Sequence, residues 1–267
     1  MPADIIDYQI IGADLQAVII TLDPGEAVVA EAGAMMYMQD GVELVTRLSM
    51  DERTTGLLGK LFQAGRRALT GDSFFVTFFF NRSNQRREVA FAAPFPGHVL
   101  PIELANYGGT LICQKDSFLC AAKGVTVDIA FQKRIGVGLF GGEGFIMQRL
   151  SAPADGSGGL AFIHAGGTLV EQILKPGEVL RVDTGCVAAM TPDIDFDIEM
   201  VPGVKNKLFG GEGLFYSRLR GPGKVWLQTM PFSRLADRII AAAPAQGGSS
   251  HGEGSVLGGL GRVIGGR

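Results

Sequence analysis

A chain of 267 residues with 46% hydrophobic content and 39 glycines can bury a sizeable core, and glycine at about twice the roughly 7% of an average protein favours many tight turns. A net charge of −3 excludes a global field drawing the protein to nucleic acid or an anionic bilayer, so such binding would need a local basic patch. Three cysteines, Cys113, Cys120 and Cys186, and no recognisable leader read as a reduced, cytoplasmic protein, and the longest intense apolar run, "FFVTFFF" at 74–80, falls far short of the roughly 20 residues that span a bilayer.

The first predicted strands are "AVIITL" (17–22) and the segment after Pro24-Gly25 in "LDPGEAVVAEAGAMMYM" (22–38). Proline presets φ and the glycine after it accepts a positive φ, as a type II turn requires. "LLGKLFQAGRRAL" (57–69) places Leu57, Leu58, Leu61, Phe62, Gly65, Ala68 and Leu69 on one face at helical spacing, which predicts an amphipathic helical insert at about 55–69 that either covers its own unit or meets a partner or membrane surface. "TGDSFFVTFFF" (70–80), "TLICQ" (110–114), "FIMQRL" (145–150), "LAFIH" (160–164) and "VWLQTM" (225–230) are short, apolar or alternating, and broken at regular intervals by Gly or Pro, the pattern of a sandwich or barrel. "SRLADRIIAAA" (233–243) predicts a short helix capped by Ser233 and stopped by Pro244. The glycine-rich remainder buries little and reads as a flexible tail.

The chain also repeats itself. "LFGGEGFIMQRL" (139–150) returns as "LFGGEGLFYSRL" (208–219), with "VDI" (127–129) and "FDI" (196–198) at the same offset before them, and "LDPGEAVVAEAGAMMYM" returns as "LKPGEVLRVDTGCVAAM" (174–190). With Pro-Gly turns also at 96–97 and "TGDSFFVTFFF" as a third, weaker copy, these markers predict an all-β fold of three tandem, similar β-sandwich or short double-stranded β-helix (jelly-roll-like) units. The expected divisions are 1–87, 88–158 and 159–231, a C-terminal helix at 232–243 and a tail at 244–267. Gly25, Gly97, Gly177, Gly141, Gly142, Gly210 and Gly211 are the expected structural turns.

Chemistry is sparse. The GxGxxG string Gly136, Gly138, Gly141 is followed by a strand-like segment where a dinucleotide loop needs a helix. His98, His164 and His251 lack metal-ligand spacing, so no metal, cofactor or catalytic residue is expected, although His98 and His164 could meet inside a pocket. Asp193, Asp195 and Asp197 alternate as if on one strand face, either a solvated row or a cation site. Basic residues recur once per unit, as Lys60, Arg66 and Arg67, then Lys133 and Arg134, then Lys205 and Lys207. They are either solvated loop charges or a rim for RNA or another polyanion, whose affinity would fall with salt.

The Pro-Gly-Glu turns, the Leu-Phe-Gly-Gly-Glu-Gly stretches, "GTLICQKDSFLCA" (109–121) and the glycine-rich end after "GEGS" (252–255) resemble the altered-inheritance-of-mitochondria (mitochondrial biogenesis) family, whose bacterial members are small uncharacterised cytoplasmic proteins. The resemblance covers roughly 1–265. It implies three tandem domains similar to the tryptophan RNA-binding attenuation protein, assembled as homotrimers into a nine-domain pseudo-ring, and it offers no catalytic residues. Fold alone does not confer function. The reading is a non-enzymatic oligomeric scaffold or binding protein, the alternatives being an RNA or polyanion binder and an enzyme with a pocket inside a β unit.

Overall fold

The computed structural model describes residues 2–31, 33–48, 75–133, 144–156, 158–200 and 215–242. Met1–Arg234 form one compact unit and Leu235–Arg267 a second. The described chain is all-β apart from short 3-10 turns and one C-terminal helix, α1 (Phe232–Ala242). No helix among the described residues is long and apolar enough to cross a membrane. The predicted insert at 55–69 lies outside the described residues.

Nineteen strands are described. β1 (Asp7–Ile11), β2 (Ala17–Leu22), β7 (Arg87–Ala92) and β4 (Met35–Met38) make a four-stranded sheet in the order β1-β2-β7-β4. A six-stranded sheet follows in the order β5-β6-β3-β10-β13-β8, from β5 (Val42–Leu48), β6 (Phe75–Asn81), β3 (Ala27–Glu31), β10 (Phe118–Ala122), β13 (Leu160–Gly166) and β8 (Gly97–Glu103). The second six-stranded sheet runs β11-β12-β9-β16-β19-β14, from β11 (Thr126–Lys133), β12 (Phe145–Ser151), β9 (Thr110–Gln114), β16 (Val187–Met190), β19 (Gly223–Gln228) and β14 (Leu169–Leu174). The last sheet is β15-β18-β17, from β15 (Val179–Asp183), β18 (Phe215–Arg220) and β17 (Asp195–Met200).

One pattern runs through this list. The order β2-β7-β4 recurs as β8-β13-β10 and β14-β19-β16, and β5-β6-β3 recurs as β11-β12-β9 and β17-β18-β15. A register shift falls at the same place each time, between Met35 and Tyr37, Phe118 and Cys120, and Val187 and Ala189. Each six-stranded sheet is therefore two three-stranded halves from successive stretches of chain, joined where β3 meets β10 and where β9 meets β16.

The joined sheets separate three apolar cores. Along β3, Val28 and Ala30 enter the first core and Val29 the second; along β9, Leu111 and Cys113 enter the second and Ile112 the third. Strands buried on both faces have no solvent side to keep polar, and their sequences read as continuous apolar runs. "LAFIHAG" of β13 is buried at every position.

Candidate functional site

The recurring pattern leaves two edges unmatched. Ala30 pairs with Cys120 across β3 and β10, and Cys113 pairs with Ala189 across β9 and β16. The remaining strands of the same kind, β15 and β4, have no such partner among the described residues. β10 and β16 are buried throughout, whereas every residue of β4 is exposed: Met35 36%, Met36 50%, Tyr37 36% and Met38 40%. Across from it in the pattern, β15 exposes Val179 at 43%, where β3 is almost wholly buried. A row of unpaired amides and carbonyls with apolar side chains is a template for another strand.

A second feature lies at the β3–β10 junction, where a cavity of about 250 Å³ is lined by Glu31, Asp116 and His164 on one hand and by Phe95, Phe118 and Phe232 on the other. His164 is 1% exposed, sits edge-on to Phe95 at 4.7 Å, and its Nδ1 has no hydrogen-bond partner. A buried polar atom left unpaired costs about 1–3 kcal/mol. Burial, and to a smaller degree the neighbouring His98, lowers the His164 pKa from 6.5 to about 4, so the ring is neutral at pH 7.

The β9–β16 junction shows the same place filled. Matching the strand registers puts Gln228 where His164 stands, Gln114 where Glu31 stands and Gly185 where Asp116 stands. There Gln228 Nε2 donates to Gln114 Oε1 at 3.0 Å and to the Gly185 carbonyl at 2.9 Å, and its Oε1 accepts from the Gly166 amide at 2.9 Å. At one junction these groups bond to one another, and at the other they border a cavity.

Of the basic positions, Lys60, Arg66, Arg67, Arg134, Lys205 and Lys207 lie outside the described residues, as do Gly141, Gly142, Gly210 and Gly211 and the GxGxxG string. Lys133 is the last residue of β11, opposite Phe145. Gly25 and Gly177 occupy turns with φ of 89° and 80°. Gly97 differs: it opens β8 without a positive φ, and a Cβ there would stand 2.1 Å from the Ala165 carbonyl oxygen, so a close strand approach, not a turn, requires glycine.

His98 and His164 lie on adjacent strands, Ala165 facing His98 and His164 facing Val99, and His98 Nδ1 donates to the Gly167 carbonyl at 2.7 Å. Asp193 sits in the turn before β17. Asp195 and Asp197 stand opposite Arg220 and Arg218 on β18, and Arg218 Nε reaches Glu199 Oε1 at 2.9 Å. The acidic row thus faces cations of its own sheet, and no group of three or more metal-ligating side chains occurs among the described residues. Cys113 and Cys120 are fully buried with their thiol pKa values raised by burial. The cavity was invisible to sequence spacing because its three polar groups come from residues 31, 116 and 164. The register match between Glu31 and Gln114 exists only once the sheets are formed.

Comparison with known proteins places this architecture. The profile of the family described as mitochondrial biogenesis AIM24 matches residues 8–230. An uncharacterized protein of Streptococcus pyogenes serotype M6 is 29% identical over 228 residues, covering 84% of this chain and 86% of its own. A crystal structure of a protein from Streptococcus pyogenes superimposes with a TM-score of 0.66 at 21% identity, covering 89% of this chain and all of that one. At that identity the likeness concerns the fold.

Proposed function

The chain belongs to the mitochondrial biogenesis AIM24 family, and from that premise we propose that it is a non-enzymatic scaffold built from three copies of one β module, assembling head to tail with further copies of itself. The observation that carries this reading is the pair of open edges. β3 with β10 and β9 with β16 are two instances of one antiparallel junction inside the chain. β15 of one copy and β4 of the next would make the same junction a third time. Carrying the register over puts Val182 of one copy opposite Tyr37 of the other, the counterpart of Ala30 with Cys120 and Cys113 with Ala189.

The contact is heterologous, one kind of edge meeting another, and such contacts close into rings when the rotation permits. Closure leaves no edge of this kind open to stray pairing. A trimer is the assembly proposed, with nine modules in the ring. Light scattering of the purified full-length protein tests it. A mass of three chains, stable on dilution through the micromolar range, is expected, and a single chain at every concentration overturns the scaffold.

A further inference from the structure

We propose that the cavity at the β3–β10 junction binds a small organic cation, an amine carried on a single apolar ring, with the ring against Phe95, Phe118 and Phe232, the charge facing Glu31 and Asp116, and His164 accepting a hydrogen bond.

The molecule contains its own control. At the β9–β16 junction the matching side chain, Gln228, is bonded to Gln114 and to the Gly185 carbonyl. Replacing those groups with His164, Glu31 and Asp116 leaves a buried ring nitrogen without a protein partner and puts two acidic residues in the lining. Buried polar atoms in proteins are almost always satisfied, by the chain, by ordered water or by a bound molecule, and among the described residues His164 Nδ1 is the one such unpartnered atom in the lining of this cavity.

Size and lining narrow the class. An apolar cavity of about 150 Å³ admits benzene, so about 250 Å³ accommodates one ring with a short chain and a polar head. Three aromatic side chains offer an apolar wall, and their ring faces also attract cations. Two acidic side chains disfavour an anion. A neutral imidazole accepts an N–H through whichever nitrogen is unprotonated. Metal ions are a poor fit, because the described residues hold no cluster of three or more ligating side chains.

Titration of the 15N-labelled full-length protein tests the assignment, following the imidazole nitrogens of His164, identified by their loss in His164→Gln. The probes are 2-phenylethylamine, 2-phenylethanol and phenylacetate. The amine is expected to shift the His164 signals and saturate, the alcohol to bind at least tenfold more weakly, and the acid to leave the signals in place. Glu31→Gln should weaken the amine about tenfold. Ala93→Leu, which adds bulk to the lining, should abolish binding. No shift with the amine, equal binding of amine and alcohol, preference for the acid, or unchanged affinity in both variants overturns the proposal. The three-probe series on the unaltered protein decides the matter even where a variant does not fold.

Discussion

Met36→Lys sets an ammonium on the exposed β4 strand, and Val179→Asp sets a carboxylate on β15, opposite Asp40 of the next copy when Val182 stands opposite Tyr37. The four β4 side chains are 36–50% exposed. Full burial of one such side chain contributes roughly 1.5–3 kcal/mol, so covering what remains exposed contributes roughly 3 kcal/mol for the four together, about two decades in Kd. An unpaired charge at the junction forfeits part of that and adds the cost of its desolvation, about several kcal/mol. Each variant alone is therefore expected to run as one 28.3 kDa chain. The two edges are different surfaces, so the variants complement each other: Met36→Lys keeps a working β15 and Val179→Asp keeps a working β4. Mixed in equal amounts, they should form a one-to-one dimer and nothing larger, read by light scattering at micromolar concentration. A single variant that keeps the unaltered protein's mass, or a mixture that stays monomeric, refutes the head-to-tail junction.

Three further outcomes follow from the described geometry. The folded state holds the His164 pKa near 4, against 6.5 for an unperturbed ring, while the unfolded chain takes up that proton at about 6.5. Stability is thus complete above about pH 6.5 and falls as pH drops toward 4, by up to roughly 3 kcal/mol. His98 lies beside this ring, and Glu31 and Asp116 share its cavity. Urea midpoints at about pH 7.5 and 5 should differ less in His164→Gln than in the unaltered protein, and equal differences refute the assignment. Gly97→Ala should cost about 1–3 kcal/mol by thermal denaturation, because its Cβ would press on the Ala165 carbonyl at 2.1 Å. Gly25→Ala, with open space but a φ of 89°, should cost about 1–2 kcal/mol, and a Gly97→Ala protein as stable as the unaltered one removes the close approach. Finally, Ellman's reagent should titrate one thiol in the folded chain, the half-buried Cys186, and reach the buried Cys113 and Cys120 only in denaturant. Three thiols reacting together refute that burial.

The all-β class was legible because it rests on local signals. Short apolar runs cut by glycine and proline became β2, β9, β12, β13 and β19 nearly where they were expected, whereas α1 begins at Phe232, which places Ser233 inside the helix and not at its cap. The Pro-Gly markers were legible only in part. Those at 24–25 and 176–177 stand between β2 and β3 and between β14 and β15, matching places in the strand order, while Pro96-Gly97 leads into β8. The matching connection, between β8 and β9, is a 3-10 turn ending at Gly108 with φ 68°. A dipeptide reports a turn's local geometry, not the turn's place in a sheet.

The edges and the cavity were not legible, for a different reason. "MMYM" in β4 is as apolar as "VAAM" in β16, and among the described residues it is a neighbouring strand, present beside β16 and absent beside β4, that distinguishes the buried one from the exposed one. His164 likewise reads as one more residue of an apolar strand. Its character comes from Phe95, Glu31 and Asp116, brought beside it by strand pairings across more than forty residues.

Each internal joint of this chain offers the same two complementary borders, one of the β3 type and one of the β4 type. Excising or inserting a whole six-strand stretch would leave that pair of borders intact at the chain's two extremities. Under the head-to-tail assembly proposed above, the number of modules would then be uncoupled from the ability to dock.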